Sequence, residues 1–156
     1  MAAAKRSAGL LVFRRAGAGI EVLLGHMGGP FWARKDAGAW SIPKGEYDAD
    51  ELPQAAARRE FTEELGMPPP DGPLIELGEV RQAGGKTVSA WAVEGELDPA
   101  DVVPGTFRLE WPRGSGSMQE FPEVDRVAWF DLDSARAKLV SAQRDLLDRL
   151  VRRLGE

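Results

Sequence analysis

Glu60, Glu63 and Glu64 stand at i, i+3 and i+4 in the run AAARREFTEEL (residues 55–65), which is built of good helix formers. At about 100° per residue, the three carboxylates lie within roughly 100° of one helix face. Like charges so placed repel, by on the order of 4 kcal/mol for a pair about 4 Å apart at an effective dielectric near 20. A divalent cation among them turns that repulsion into attraction. The chain has one His, His26, and no Cys. Any metal site must therefore draw on oxygen donors, which suits Mg²⁺ or Mn²⁺ better than Zn²⁺. The same three residues also fit a solvated surface helix with Arg58 and Arg59 neutralising the charge. Spacing alone leaves both readings open.

The elements around this helix read as strands, helix, strands, helix. Ala8 to Arg15 and Ile20 to His26 are rich in Leu, Val and Ile and flank Ala16-Gly-Ala-Gly19, a β-hairpin pattern. Met27-Gly-Gly-Pro30 ends the second strand, residues 31–38 read as a loop, and Trp40 to Gly45 is a short apolar stretch ending in turn residues. The helix is expected over Glu51 to Leu65, with Asp50 as N-cap, Pro53 in the first turn and Gly66 as the stop before Pro68-Pro69-Pro70. Leu74 to Gln82 and Lys86 to Glu94 flank Ala83-Gly84-Gly85 as a second hairpin, and imperfect alternation there implies burial on both faces. Thr106 to Trp111 and Arg126 to Phe130 read as further strands, with a mobile segment from Pro112 to Glu120 between them. Ser134 to Leu154 is amphipathic, with Leu139, Leu146, Leu150 and Leu154 recurring at helical steps, and reads as one helix packed on a sheet. The expected fold is α+β, a mixed sheet between helices, in a single domain over residues 1–156.

Composition narrows the class further. With 43% hydrophobic and 29% charged residues, the chain resembles ordinary globular domains, and a net charge of −5 argues against a general nucleic-acid binder. Local basic patches can still hold a small anionic substrate. The start, Met1-Ala-Ala-Ala-Lys-Arg-Ser7, has no long apolar run behind it. Neither a signal peptide nor a membrane span is expected, and the expected location is cytoplasmic.

Reading outward from the carboxylates, Gly45 is followed after five residues by Glu51, and after seven more by Arg59-Glu60-Phe61-Thr62-Glu63-Glu64-Leu65-Gly66-Met67. This resembles the signature of the Nudix hydrolase family, with every fixed position filled across residues 45–67. The flanking strands and the last helix are also similar to that family's α/β/α sandwich. The resemblance implies a loop–helix–loop that holds Mg²⁺, with Mn²⁺ able to substitute, against a diphosphate. It implies Glu60 and Glu64 as principal metal ligands, Glu63 as a ligand or water contact, and the carbonyl of Gly45 as a further ligand. Arg59 and Glu51 become orienting residues that pair to hold the loop on the helix. Glu51 also fits a plain acid at a helix N-terminus.

The implied reaction is attack of a metal-activated water on a diphosphate, with a carboxylate removing the water's proton. Glu123, six residues before Trp129, is the first candidate for that base and a possible metal contact; Glu120 is the reserve, and Glu60 itself is a third choice. The stretch Trp40-Ser-Ile-Pro-Lys-Gly45 is similar to that of family members acting on dinucleoside polyphosphates, capped RNA ends or inositol diphosphates. Lys44 and Trp40 are accordingly candidate substrate contacts, Lys44 to a phosphate. Trp32, Trp40 and Trp111 fit either base stacking or the core, and His26 reads as a strand-end residue. The expected substrate is a nucleoside polyphosphate, diadenosine tetraphosphate-like or a nucleoside triphosphate. The alternatives are cleansing of oxidised nucleoside triphosphates, which differs only in the base pocket, and a non-catalytic nucleotide sensor, which the intact Glu60, Glu63 and Glu64 disfavour.

Overall fold

The structure is a computed structural model that describes residues 5–155. Residues 1–4, on which the reading of the amino-terminal stretch partly rests, and residue 156 lie outside the described residues.

Strand β1 (Arg6–Ala16) organises the sheet, and its composition explains why. Leu10, Leu11, Val12 and Phe13 are all buried. Successive side chains of a strand point to opposite faces, so such a run is stable only where both faces are covered. Ala8, Leu10 and Val12 join one core and Leu11 and Phe13 the other. β1 forms the expected hairpin with β2 (Gly19–Met27) through a Gly17-Ala18 turn, and runs parallel to β6 (Thr87–Glu94) from Arg6 to Phe13. β6 pairs antiparallel with β5 (Ile75–Arg81), the second expected hairpin. β2 also pairs with β3 (Trp40–Ser41) and with β9 (Val124–Asp131), while β4 (Lys44–Glu46) pairs with Ser7–Gly9 of β1. The sheet is mixed. Helix α1 (Pro53–Leu65) packs on one face; α2 (Leu132–Lys138) and α3 (Arg144–Leu154) pack on the other, giving the expected α/β/α sandwich. No helix of the described residues is long and apolar enough to cross a membrane.

Four expectations need correction. The N-cap of α1 is Leu52, not Asp50, and it makes no side-chain cap bond; Pro53, whose missing N–H costs nothing at the first helical position, starts the helix instead. The Trp40 to Gly45 stretch holds two short strands, β3 and β4. Residues 112–120 are not all loop: Met118–Pro122 forms β8, which pairs with β7 (Thr106–Glu110) as a separate two-stranded arm. Lastly, Ser134 to Leu154 is two helices.

The break between α2 and α3 has a clear cause. Leu139 is extended and bridges Trp40, and the Val140 N–H donates to the Trp40 carbonyl at 2.9 Å. Gln143, fully buried, accepts from the Ile42 N–H at 3.0 Å and donates to Ser41 Oγ at 3.0 Å and Gln82 Oε1 at 2.8 Å. The α-helix is interrupted at Leu139 and Val140 and resumes through a 3₁₀ turn at Ser141–Gln143, so that buried backbone at Trp40–Ile42 finds partners. Gln143→Leu would keep the volume but orphan the Ile42 N–H, and we expect it to lower unfolding free energy by about 1–3 kcal/mol in urea titrations. An unchanged midpoint would mean that these bonds contribute nothing net.

Candidate active site

α1 is built to bury one side and present the other. Ala56, Ala57, Phe61 and Leu65 are fully buried against the sheet. Gly66, at φ 70°, ends the helix in the left-handed conformation and donates its N–H to the Thr62 carbonyl at 2.8 Å. A side chain there would also strike the Val103 carbonyl, since a Cβ on Gly66 would sit 2.2 Å from it. This close approach lets the chain after α1 return past the helix end, where Gly105 N–H donates to the Glu64 carbonyl at 3.3 Å and Glu123 N–H to the Gly105 carbonyl at 2.7 Å.

With that face buried, Glu60, Glu63 and Glu64 point toward β4. The Lys44 backbone N–H donates to Glu64 Oε2 at 3.1 Å. A Cβ on Gly45 would fall 1.9 Å from Glu60 Oε2, so the Glu60 carboxylate occupies the space any other residue's side chain would need. Arg59 is the hub. It donates to both oxygens of Glu51 at 2.7 and 2.9 Å, to Glu60 at 2.8 Å and to Glu63 at 3.1 Å. It also donates to the Glu46 carbonyl at 3.4 Å. Hydrogen bonding to Glu51, above all, raises the Arg59 pKa and depresses that of Glu51. Glu51 lies outside α1, directly before its N-cap Leu52, and pairs with Arg59.

The carboxylates line a cleft of about 550 Å³ with Lys44, Gly45, Lys86, Thr106 and Glu123. Burial pushes the Glu64 carboxyl up to about 8, against the opposing Lys44 N–H bond, and lowers the Lys44 ammonium. Burial also raises Glu60, which Arg59 counteracts. Among the described residues no three acidic or histidine side chains converge closely enough to enclose an ion. Arg59 holds Glu60 and Glu63 and the Lys44 N–H holds Glu64, each in a place a cation would contest. The donor set nevertheless fits a hard divalent cation: it is all oxygen, and the missing Cβ of Gly45 leaves its backbone beside Glu60. A wider cavity of about 800 Å³, lined by Lys5, Arg6, Tyr47 and Asp48, lies on the Glu51 side of Arg59. The smaller cleft is the one that Glu60, Glu63, Glu64 and Glu123 line together.

Glu123, the single residue between β8 and β9, faces α1 from the other wall and lines both the cleft and a smaller cavity of about 240 Å³. Trp32, Phe107, Lys44 and Glu64 line that cavity too. Glu120 is exposed on β8 opposite Arg108 and does not line the cleft. Trp40, expected to touch substrate, is 4% exposed in the core on the α2–α3 face. Its N–H bonds Asp36, and the rings of His26 and Phe130 pack on it edge-on, so no face is left for a ligand. Trp111 lies exposed at the end of the β7–β8 arm, outside both cavities. Of the three tryptophans, Trp32 is the one at the site. Lys86 and Phe107 went unnoticed in the sequence, because one follows a glycine pair and the other sits in an ordinary strand pattern.

Comparison with known proteins gives the same picture from another direction. The model of the NUDIX domain matches residues 3–150. An RNA pyrophosphohydrolase of Gluconacetobacter diazotrophicus is 30% identical over 168 residues, covering 95% of this chain and 89% of that protein. Among solved structures, the Ap4A hydrolase of C. elegans in a binary complex superposes with a TM-score of 0.68 at 24% identity, over 97% of this chain and 98% of that one. The NUDIX domain of Shewanella oneidensis NrtR, complexed with ADP ribose, gives 0.65 at 18% identity over 99% and 90%.

The raised Glu64 carboxyl has a consequence for stability. Its folded pKa, about 8, lies above the ordinary 4.5. Its contribution to stability is therefore complete below the lower value and is lost as pH rises through the higher one. With chelator present, the unfolding midpoint of the wild-type chain should fall between about pH 5 and about pH 8 relative to Glu64→Gln, which cannot titrate. Parallel profiles would contradict the burial of this carboxyl.

Proposed function

The chain belongs to the NUDIX family of hydrolases, and on that premise we propose that it cleaves a diphosphate linkage of a nucleoside polyphosphate with water. The observation that carries this reading is the cleft itself. Glu60, Glu63 and Glu64 on one wall and Glu123 on the other face two cations, Lys44 and Lys86.

Glu60, Glu63, Glu64 and the carbonyl of Gly45 would hold Mg²⁺, for which Mn²⁺ could substitute, and Glu123 lines the same cleft. When bound, the cation supplies neutralisation of the diphosphate and a more acidic water. Arg59 holds Glu60 and Glu63 side by side through one nitrogen, and a bound cation would draw both carboxylates from it. Lys44 and Lys86 reach the phosphate oxygens as point charges. Glu123, exposed and free of any ion pair among those described, removes the proton of the attacking water. Trp32 and Phe107 flank the cavity next to these phosphate groups and offer aromatic surface to a base.

A dinucleoside polyphosphate of the diadenosine tetraphosphate kind is the preferred substrate on the Trp40-to-Gly45 stretch and on the fold shared with the Ap4A hydrolase. A second reading, the 5′ polyphosphate end of an RNA, is favoured by the RNA pyrophosphohydrolase relative. Assays of dinucleoside polyphosphates, 5′-triphosphorylated RNA, capped RNA and ordinary and oxidised nucleoside triphosphates, each with Mg²⁺ and with Mn²⁺, separate the two. Glu64→Gln should abolish turnover. Glu123→Gln should lower kcat by about 10²- to 10⁴-fold with a smaller change in KM. Turnover of nothing in the panel, or full activity in Glu64→Gln, would overturn the reading; an unchanged kcat in Glu123→Gln would move the base to Glu60.

A further inference from the structure

His26, next to last in β2, has its side chain fully buried, and both ring nitrogens have partners. Nδ1 lies 2.8 Å from Asp125 Oδ1, and Nε2 lies 2.6 Å from the Lys35 carbonyl oxygen. The ring is thus held between two oxygens, one from each of two segments far apart in sequence.

The two partners lie in segments that each help line the small cavity beside the carboxylate cleft, through Trp32 in one and Glu123 and Val124 in the other. Lys35 sits in the segment between β2 and β3. Its N–H donates to the Trp32 carbonyl at 2.9 Å, and its ammonium lies 3.8 Å from the centre of the Phe31 ring. Asp125 belongs to β9, two residues after Glu123. The register of β2 on β9 shifts here: His26 pairs with Arg126 and Met27 with Val124, which leaves Asp125 as the extra residue of a bulge. Bulges of this kind re-aim a side chain, and this one aims the Asp125 carboxylate at His26. One residue further on, Gly28 N–H donates to the Glu123 carbonyl at 3.0 Å. A Cβ on Gly28 would lie 1.9 Å from the Pro122 carbonyl, so the two segments touch backbone to backbone.

We propose that His26 is a positioning residue: its ring, held between the Asp125 carboxylate and the Lys35 carbonyl, clamps the 28–36 segment to the entry of β9 and so sets the separation of Trp32 from Glu123 at the cavity. The role rests on the reading of that cavity as the nucleotide site, because only there does the separation matter to a reaction. His26→Phe keeps the ring packed on Trp40 and removes both hydrogen bonds. Asp125→Ala removes one of them from a side chain that is 33% exposed, so it spares the core if His26→Phe does not fold.

Hydrogen exchange and steady-state kinetics test the clamp together. In either variant, amides of residues 28–36 and 123–125 should exchange faster while those of α1 stay unchanged. KM for the substrate found in the panel should rise about tenfold, with kcat within about threefold of wild type. In a Trp32→Ala background the same substitution should add less than about a twofold change in KM, because the group being positioned is gone. Unchanged exchange in both segments would overturn the clamp. A fall in kcat at constant KM, or full additivity with Trp32→Ala, would overturn its role in holding Trp32. Failure of the wild-type chain to turn over any nucleotide would refute the nucleotide reading instead, and the exchange data would still decide whether His26 joins the two segments.

Discussion

Negative charge gathered between α1 and β4 must be balanced for the chain to close there, and Arg59 balances it from within. Its planar guanidinium meets Glu51 with two donors and shares a third nitrogen between Glu60 and Glu63, a division that the compact ammonium of a lysine would not reproduce. The same group reaches the Glu46 carbonyl, which ties β4 to the helix. The register of β4 on β1, with Gly45 opposite Ala8, then places the one position lacking a side chain beneath the Glu60 carboxylate. Glu64 is handled differently: burial and a backbone N–H hold it, and Lys44 rather than Arg59 is its neighbouring charge.

The buried parts of the fold serve that balance. Ala56 and Ala57 allow α1 to approach β1 and β6 closely, and Phe61 and Leu65 fix its rotation, so the glutamates emerge on the β4 side. The second wall comes from elements far away in sequence. The arm β7–β8 ends at Pro122, Glu123 is bonded to Gly105 and Gly28, and the bulge at Asp125 begins β9. The cleft thus lies between the α1–β4 unit and a set of strand ends and connecting segments, which carry Phe107, Glu123 and Trp32.

The first wall was legible in the sequence, and the second was not. Gly45, Glu51, Arg59 and the three glutamates sit within 23 consecutive positions, 45–67. One helix with one preceding strand fixes their geometry, so spacing translates directly into placement. The sandwich was legible for a similar reason: Ala8 to Arg15 and Ile20 to His26, rich in Leu, Val and Ile, read as a hairpin because neighbouring strands form one. Residues 139–143 fit a helical period, yet long-range bonds from Gln143 to Ser41 and Ile42 outweigh that local preference. β8 was missed because Met118, Gln119 and Glu120 are exposed and show no apolar alternation. Trp40 and Trp32 look alike in sequence, and only the packing of β3 under α2 decides that the first is core and the second lines a cavity. The sequence gives no hint of His26's two partners, since Asp125 reaches it only through a bulge 99 residues away.

Gly45→Ala tests the central claim, that Gly45 lacks a side chain so that Glu60, which fills that space, and its neighbours can serve one cation and one diphosphate. The new Cβ meets the end of a flexible side chain rather than backbone. The variant should therefore unfold at the wild-type midpoint while the Glu60 carboxylate is displaced. Calorimetric titration with Mn²⁺ should then show affinity reduced by about 10- to 100-fold, with turnover falling in parallel. Wild-type cation affinity and turnover in a folded Gly45→Ala chain would contradict the account.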